Sequence, residues 1–373
     1  MTQSTKALLS AALLWCGAAS AQFWNPLQTP NPFGGSPIQY AAGDPHMRWE
    51  ASIGKWVSTQ SIGAGVQLFY STDMRLWSPG PVIMDASKKP SGMNLSPLAA
   101  AWPSGMNQDV NFWAPEVHKV GNKFVVVTSG NFDYWYYTTY SRGGIVIGTA
   151  SNIAGPYTFR STPIIGNGTD TYIDPTVFQD PKTSKYYLAY VKWVGGNDHQ
   201  SLDMIELNST DPTQTVGVPR TLLSTATQMR NHEIAWGTNR RIIEGPGLFV
   251  AASGAYVLYY AAGNCEPNGT VNKSSQYSFN MAVSNTGATV NVWNASFTKS
   301  TAPSLVGSPG MTNPGHGSIV KDKAGKLWLY AHYHQDPSDG WRRVFMQPVL
   351  TSVYGYYFEG GAAQGWITSM PVP

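Results

Sequence analysis

Apolar residues in this chain recur in short runs, not in long helical stripes. "KFVVVTSG" from Lys123, "KYYLAYV" from Lys185, "AYVLYYAAG" from Ala255 and "KLWLYAHY" from Lys326 are rich in β-branched and aromatic residues. Each is preceded by a short apolar segment and a turn signal, namely Gly121-Asn122-Lys123, Asp180-Pro181, Ser253-Gly254 and Ala324-Gly325-Lys326. Short apolar runs bounded by such turns predict antiparallel hairpins.

The hairpins share one grammar. The segments "APEVHKVGNKFVVVTSG", "DPTVFQDPKTSKYYLAYV", "EGPGLFVAASGAYVLYYAAG" and "HGSIVKDKAGKLWLYAHY" begin at Ala114, Asp174, Glu244 and His316. A less regular copy, "GDPHMRWEASIGKWVSTQS", carries Asp44-Pro45. Counted from Asp44, these starting points lie 70, 60, 70 and 72 residues apart. Each unit holds later strands too: "GVQLFYSTDMRLWSPG", "GIVIGTASNIAGPYTF", "QSLDMIELN", "SFNMAVSNTG" and "RRVFMQPVL". Five units of about four strands predict an all-β fold, a five-bladed β-propeller. The competing reading is a β-sandwich or a set of unrelated hairpins.

Composition agrees with many short strands. Charged residues make up 12% and aromatics 13%, with 38 Gly and 26 Pro in 373 residues. A net charge of +3 without a basic run gives no footprint for nucleic acid or an anionic membrane. Lys6, the apolar segment Ala7 to Ala18 and the small-x-small triplet Ala19-Ser20-Ala21 read as a secretory signal over residues 1–21. Residues 22–373 are then expected to form one propeller domain, secreted and monomeric. Losing Cys16 with the signal leaves only Cys265, so an intrachain disulfide is not expected. Sequons at Asn94, Asn167, Asn208, Asn268, Asn272 and Asn294 fit a glycosylated extracellular protein.

In a propeller the first strand of each blade lines the central axis. Asp44, Asp174, Glu244 and His316, remote in sequence, are therefore expected to meet at one funnel. Packing alone would not select three acids and a histidine there, because a buried charge needs a partner. Asp44 and Asp174 precede proline, and Asp-Pro also begins ordinary turns. Glu244 has a structural alternative as a partner of Arg241.

These motifs resemble glycoside hydrolase family 43, the five-bladed arabinanase and xylosidase group. The resemblance rests on Asp44-Pro45, Trp113-Ala114-Pro115, Ile173-Asp174-Pro175, Glu244-Gly245-Pro246 and Gly315-His316, in order and at blade spacing. It runs from about Gly43 to Val349. It implies Asp44 as general base, Glu244 as general acid, and Asp174 as the residue that tunes and positions the acid. It also implies that His316 lies at the axis, where it helps hold a water-coordinated cation, commonly calcium. No cofactor is required for the reaction. One arginine of Arg342 and Arg343 would approach the substrate or the acids; the sequence does not say which.

Sugar rings stack on aromatic faces, and Trp113 is the first candidate, with His316, Arg342 and Arg343 also lining the substrate. The aromatic loop Asn131 to Gly143 reads equally as a subsite wall or as inter-blade packing. Trp193 and Trp341 are further candidates for the cleft edge. Glu116 receives no catalytic role, Asp180 reads as turn chemistry and Asp73 as a structural turn. The expected activity is inverting hydrolysis of arabinose- or xylose-containing cell-wall polysaccharide, with arabinan favoured. Two alternatives stand beside it: a retaining fructan- or sucrose-acting propeller, and a carbohydrate-binding propeller without chemistry.

Overall fold

The computed structural model describes residues 43–358 apart from segments 62–64, 75–76, 86–110, 132–142, 167–169, 194–198, 236–239, 265–276, 308–311, 335–341 and 353–354. The expected signal, Cys265, Trp341, most of the aromatic loop and the sequons at Asn94, Asn167, Asn268 and Asn272 lie outside those residues.

The described residues form twenty strands in five antiparallel four-stranded sheets, each made from consecutive strands. Blade one holds β1 (Gly43–Glu50), β2 (Lys55–Ser61), β3 (Gly65–Ser71) and β4 (Ser78–Asp85). Blade two holds β5 (Asn111–Val120), β6 (Lys123–Asn131), β7 (Gly143–Ala150) and β8 (Thr158–Phe159). Blade three holds β9 (Thr171–Gln179), β10 (Tyr186–Trp193), β11 (Gln200–Leu207) and β12 (Thr215–Ser224). Blade four holds β13 (Ile243–Val250), β14 (Tyr256–Gly263), β15 (Tyr277–Ser284) and β16 (Phe297–Lys299). Blade five holds β17 (Thr312–Lys321), β18 (Leu327–His334), β19 (Arg342–Ser352) and β20 (Gly355–Phe358). The five-bladed propeller expected from the repeat is the observed fold. No described helix is long and apolar enough to cross a membrane.

The core lies between blades. One cluster joins Ile173, Ala189 and Leu202 of blade three to Ile243, Leu258 and Ala282 of blade four. Another joins Val57, Val66 and Leu68 of blade one to Phe112, Val117 and Val126 of blade two. Strand alternation explains this. Each sheet is covered on both faces by its neighbours, so its second and third strands are largely buried, with polar residues such as Gln60 and Gln347 among them. β14 is buried along its whole length.

The repeat unit gains a detail here. In every inner strand the ladder breaks near its head, twice in β17, where Asn313 (φ 51) is also left-handed, and a residue with positive φ sits at the equivalent break. These residues are Asp44 (φ 54), Ala114 (φ 46), Asp174 (φ 54), Gly245 (φ 57) and His316 (φ 30). The fourth member is thus Gly245, one residue beyond the Glu244 of the sequence repeat. Glu244 occupies the preceding position, in register with Trp113 and Ile173. A β-bulge re-aims side chains and ends normal pairing, so strand heads at the axis are presented in one direction by all five blades.

Asp180 does more than close a hairpin. It is fully buried, accepts the Tyr256 hydroxyl at 2.7 Å and the Lys182 amide at 3.0 Å, and so ties blade three to blade four.

At Gly247 an added Cβ would lie 2.0 Å from Tyr259 Cζ, because that ring crosses the strand to reach the Ile319 amide at 3.1 Å. Gly247→Ala is expected to destabilise the propeller by about 2–3 kcal/mol through overpacking, read as a lowered denaturation midpoint at unchanged slope.

Candidate active site

Sequence and backbone together explain the strand heads. A left-handed residue turns its amide out of the ladder, and a buried amide needs another acceptor. The Asp44 N–H donates to His332 Nδ1 at 3.0 Å. The Asp174 N–H donates to Ser129 Oγ at 2.8 Å. The Gly245 N–H donates to Asp174 Oδ2 at 3.0 Å. Backbone turned inward at one blade is therefore held by a side chain of the same or a neighbouring blade.

Gly245 is needed twice over. Its φ of 57° favours a residue without Cβ, and a Cβ there would meet the His316 ring at 2.7 Å. The Glu-Gly-Pro motif thus joins an acid to the only residue type that lets His316 lie against the backbone.

The structure brings Asp44, Asp174, Glu244, His316 and Arg342 together. His316 Nδ1 lies 3.2 Å from Asp44 Oδ1 and 3.7 Å from Asp174 Oδ2. Donor atoms of Asp174, Glu244 and His316 lie within 4.8 Å of one another. Arg342 Nη1 donates to Asp44 Oδ1 at 3.1 Å. Arg342 and Arg343 are neighbours on β19, so their side chains leave opposite faces. Arg342 is the one at the acids, while Arg343 lies opposite Tyr333 in the β18–β19 ladder.

Asp174 is buried, and its carboxyl is pushed up to about 7. Desolvation is the main cause; Glu244 and Asp44 add to it, while His316 and the Gly245 amide oppose it. Asp174 therefore carries a proton through mildly acidic pH.

Glu244 is half-buried. Its Oε1 accepts the Tyr277 hydroxyl at 2.6 Å. The Tyr277 ring stacks on His332 at 5.8 Å with an interplanar angle of 4°. One stacked pair thus holds the acid through Tyr277 and the Asp44 backbone through His332. Upstream, Gln200 Oε1 accepts the Ile243 amide at 2.8 Å, and the buried Lys299–Glu233 pair (2.7 Å) anchors the approach to β13. Arg241 contacts His199 and not Glu244 in any observed bond.

Sequence reasoning missed Tyr277 and His332. Tyr277 opens β15, and His332 sits inside the aromatic strand β18. Neither lies at a blade's first strand, so the strand-head rule could not find them. Trp113 is partly buried against the blade three–four core, with its carbonyl accepting Thr128 Oγ1 at 2.8 Å. Trp193 lies beneath the Arg240 guanidinium at 5.4 Å.

The model of glycosyl hydrolases family 43 matches residues 38–353. The chain belongs to this family. It is a glycoside hydrolase, and its substrate is a carbohydrate. Solved structures share the family-43 fold at low identity. A thermostable family-43 glycoside hydrolase aligns at TM-score 0.67 and 19% identity, covering 92% of this chain and 99% of that one. An endo-arabinase from Bacteroides thetaiotaomicron aligns at TM-score 0.60 and 14% identity, covering 85% and 97%. A xylan β-1,4-xylosidase from Bacillus halodurans aligns at TM-score 0.64 and 19% identity, covering 91% of this chain and 58% of that one. No curated protein matches the sequence.

Calcium, which the family resemblance suggests at His316, takes six to eight oxygen ligands. The side-chain donors that close on His316 are carboxylates of the reaction centre, and its Nδ1 already faces Asp44 and Asp174. Asp174, Glu244 and His316 offer two carboxylates and one imidazole nitrogen within 4.8 Å of one another, so waters would supply most of the oxygen ligands of a calcium ion there.

Tyr277→Phe is expected to lower kcat about tenfold with KM little changed, since it frees the Glu244 rotamer without touching the sugar sites; steady-state kinetics measure this. Stability should also carry the Asp174 signature. A carboxyl whose folded pKa lies above its unfolded value, ordinarily about 3.9, contributes most below that value. That contribution is lost as pH rises towards about 7. Melting curves from pH 4 to pH 8 should show the loss, and Asp174→Asn should flatten it.

Proposed function

We propose that this family-43 enzyme is a secreted, inverting hydrolase of arabinose- or xylose-containing plant cell-wall polysaccharides, acting on α-1,5-arabinan or arabinofuranosyl branches. The observation that carries the mechanism is the separate anchoring of two carboxylates. Asp44 is held by Arg342 and His316, whereas Glu244 is held by Tyr277.

Asp44, paired with the Arg342 guanidinium, is suited to take a proton from water as that water attacks the anomeric carbon. Glu244, carrying a proton, gives it to the departing glycosidic oxygen. In an inverting enzyme these groups stand on opposite sides of the bond, ~6.5–9.5 Å apart. Asp174 does not touch the scissile bond in this scheme. Its buried carboxyl stands beside Glu244, and two like charges so close disfavour simultaneous ionisation. It also fixes the Gly245 amide and hence the backbone that carries Glu244.

Support for arabinan or xylan comes from two proteins of this fold, an endo-arabinase and a xylan β-1,4-xylosidase. Trp113 and Arg342 are the proposed sugar contacts at the funnel. Arg343 is not, because it leaves the opposite face of β19. Secretion rests on the signal-like residues 1–21 and the sequons; of these, Asn294 is exposed in a turn.

Glu244→Gln should remain folded and lose about 10²–10⁴-fold in rate on polysaccharide, yet lose far less on an aryl arabinoside whose leaving group needs little protonation. Equal loss on both substrates would remove Glu244 from the acid role. Proton NMR of the first-formed product tests inversion directly. Assays on linear arabinan, branched arabinan, arabinoxylan and xylan, with products resolved by size, assign the substrate. Rapid cleavage of fructan with retention would instead favour the fructan-acting alternative.

A further inference from the structure

Two residues beyond each left-handed strand head, the inner strands build a second layer on the axis. Its members are His46 on β1, Glu116 on β5, Thr176 on β9, Gly247 on β13 and Ser318 on β17. This layer lies beneath the catalytic one. No step of the hydrolysis uses it.

Three ligand-type side chains meet there. Glu116 Oε2 lies 2.6 Å from His118 Nε2 and 3.9 Å from His46 Nε2. All three donor atoms lie within 4.8 Å of one another. The two imidazole rings are 4.7 Å apart between centroids. Their side chains are 9–15% exposed, so the group is nearly dry. The Val177 amide also approaches His118 Nε2, at 3.3 Å. Glu116 Oε2 and His118 Nε2, 2.6 Å apart, share a proton in the hydrogen bond between them, and a metal ion would take that proton's place.

We propose that His46, Glu116 and His118 form a binding site for one divalent transition ion of the zinc class, distinct from the catalytic layer. Two imidazoles and one carboxylate are the donor set of a three-ligand zinc site whose fourth position is open. They favour such an ion over calcium, which wants oxygen ligands. Metal bonds of about 2.0–2.1 Å in a tetrahedron put neighbouring donors about 3.3 Å apart. Glu116 and His118 would separate by under an ångström, and His46 would close by a similar amount.

The site has an entrance. A cleft of about 410 Å³ at the far ends of the inner strands is lined by His118, Val177, Arg48 and Lys119. Through it the fourth coordination position would meet water or a small anion. The ion would join β1 of blade one to β5 of the neighbouring blade two, and would act as a staple.

The test uses the whole chain, stripped with a chelator and titrated calorimetrically with zinc chloride alone. We expect one equivalent bound per chain and a melting temperature raised by a few degrees at saturation, roughly what 100-fold excess over Kd supplies. Calcium should not compete. Cobalt in place of zinc should give the intense visible absorption of a four-coordinate ion. His118→Gln and His46→Gln should each weaken zinc at least tenfold, whereas His316→Gln should leave zinc affinity unchanged. Far-UV circular dichroism checks that each variant is folded. Absence of binding to the unmutated chain would overturn the proposal, whatever the variants do. So would affinity lost in His316→Gln but kept in His118→Gln, which would move the ion to the catalytic layer.

Discussion

Everything at the axis depends on one backbone constraint, the break in the ladder at the head of each inner strand. A regular strand would hydrogen-bond its head residues to the second strand and send alternate side chains into the flanking blades. The left-handed residue prevents this. It frees an amide, which then needs an acceptor, and it swings the following strand into the axis. Non-glycine residues adopt such φ values at a cost of order 1–3 kcal/mol each. Four of the five positions nevertheless carry Asp, Ala, Asp and His. The strain persists because neighbouring blades hold these residues: His332 holds Asp44, and Ser129 holds Asp174.

The closing seam between blades five and one shows how stability and chemistry share residues. Each blade comes from contiguous chain, so no strand is exchanged across the seam among the described residues. A hydrophobic cluster that includes Met47, Trp56, Val320 and Trp328, together with polar bonds, fastens it instead. Arg342 reaches Asp44, Ser318 Oγ accepts the Met47 amide at 3.0 Å, and Tyr330 meets Ser58 and Gln60. The proposed catalytic base is therefore part of the closure, and its orientation is set by the same contacts that shut the ring. Glu244, by contrast, belongs to blade four and is held by Tyr277 of its own sheet. The stack of Tyr277 on His332 couples the two without a covalent link.

Much of this was legible in the chain. The blades, the later strands and the meeting of Asp44, Asp174, Glu244 and His316 follow from motifs repeated at blade spacing. The repeat failed only in register, because Glu244 looked like the equivalent of Asp174. The prolines mark the true register, since Asp44, Ala114, Asp174 and Gly245 each precede one and each carries the positive φ, whereas aligning on the acids put Glu244 in the place of Gly245. Arg342 and Arg343 were indistinguishable because adjacent residues differ in face, and face is set by pairing.

His46, His118 and Tyr277 were invisible for a different reason. Each has a plausible local role, and only the packing of one blade against another brings the histidines to Glu116 or Tyr277 to Glu244. The sequence by itself determined the number of blades, their all-β character and the acids that open the inner strands. Those depend on local periodicity and turn chemistry. The tertiary structure alone decided which face each of those residues presents and which partners meet at the axis. Those partners come from strands remote in sequence, joined only when the ring closes.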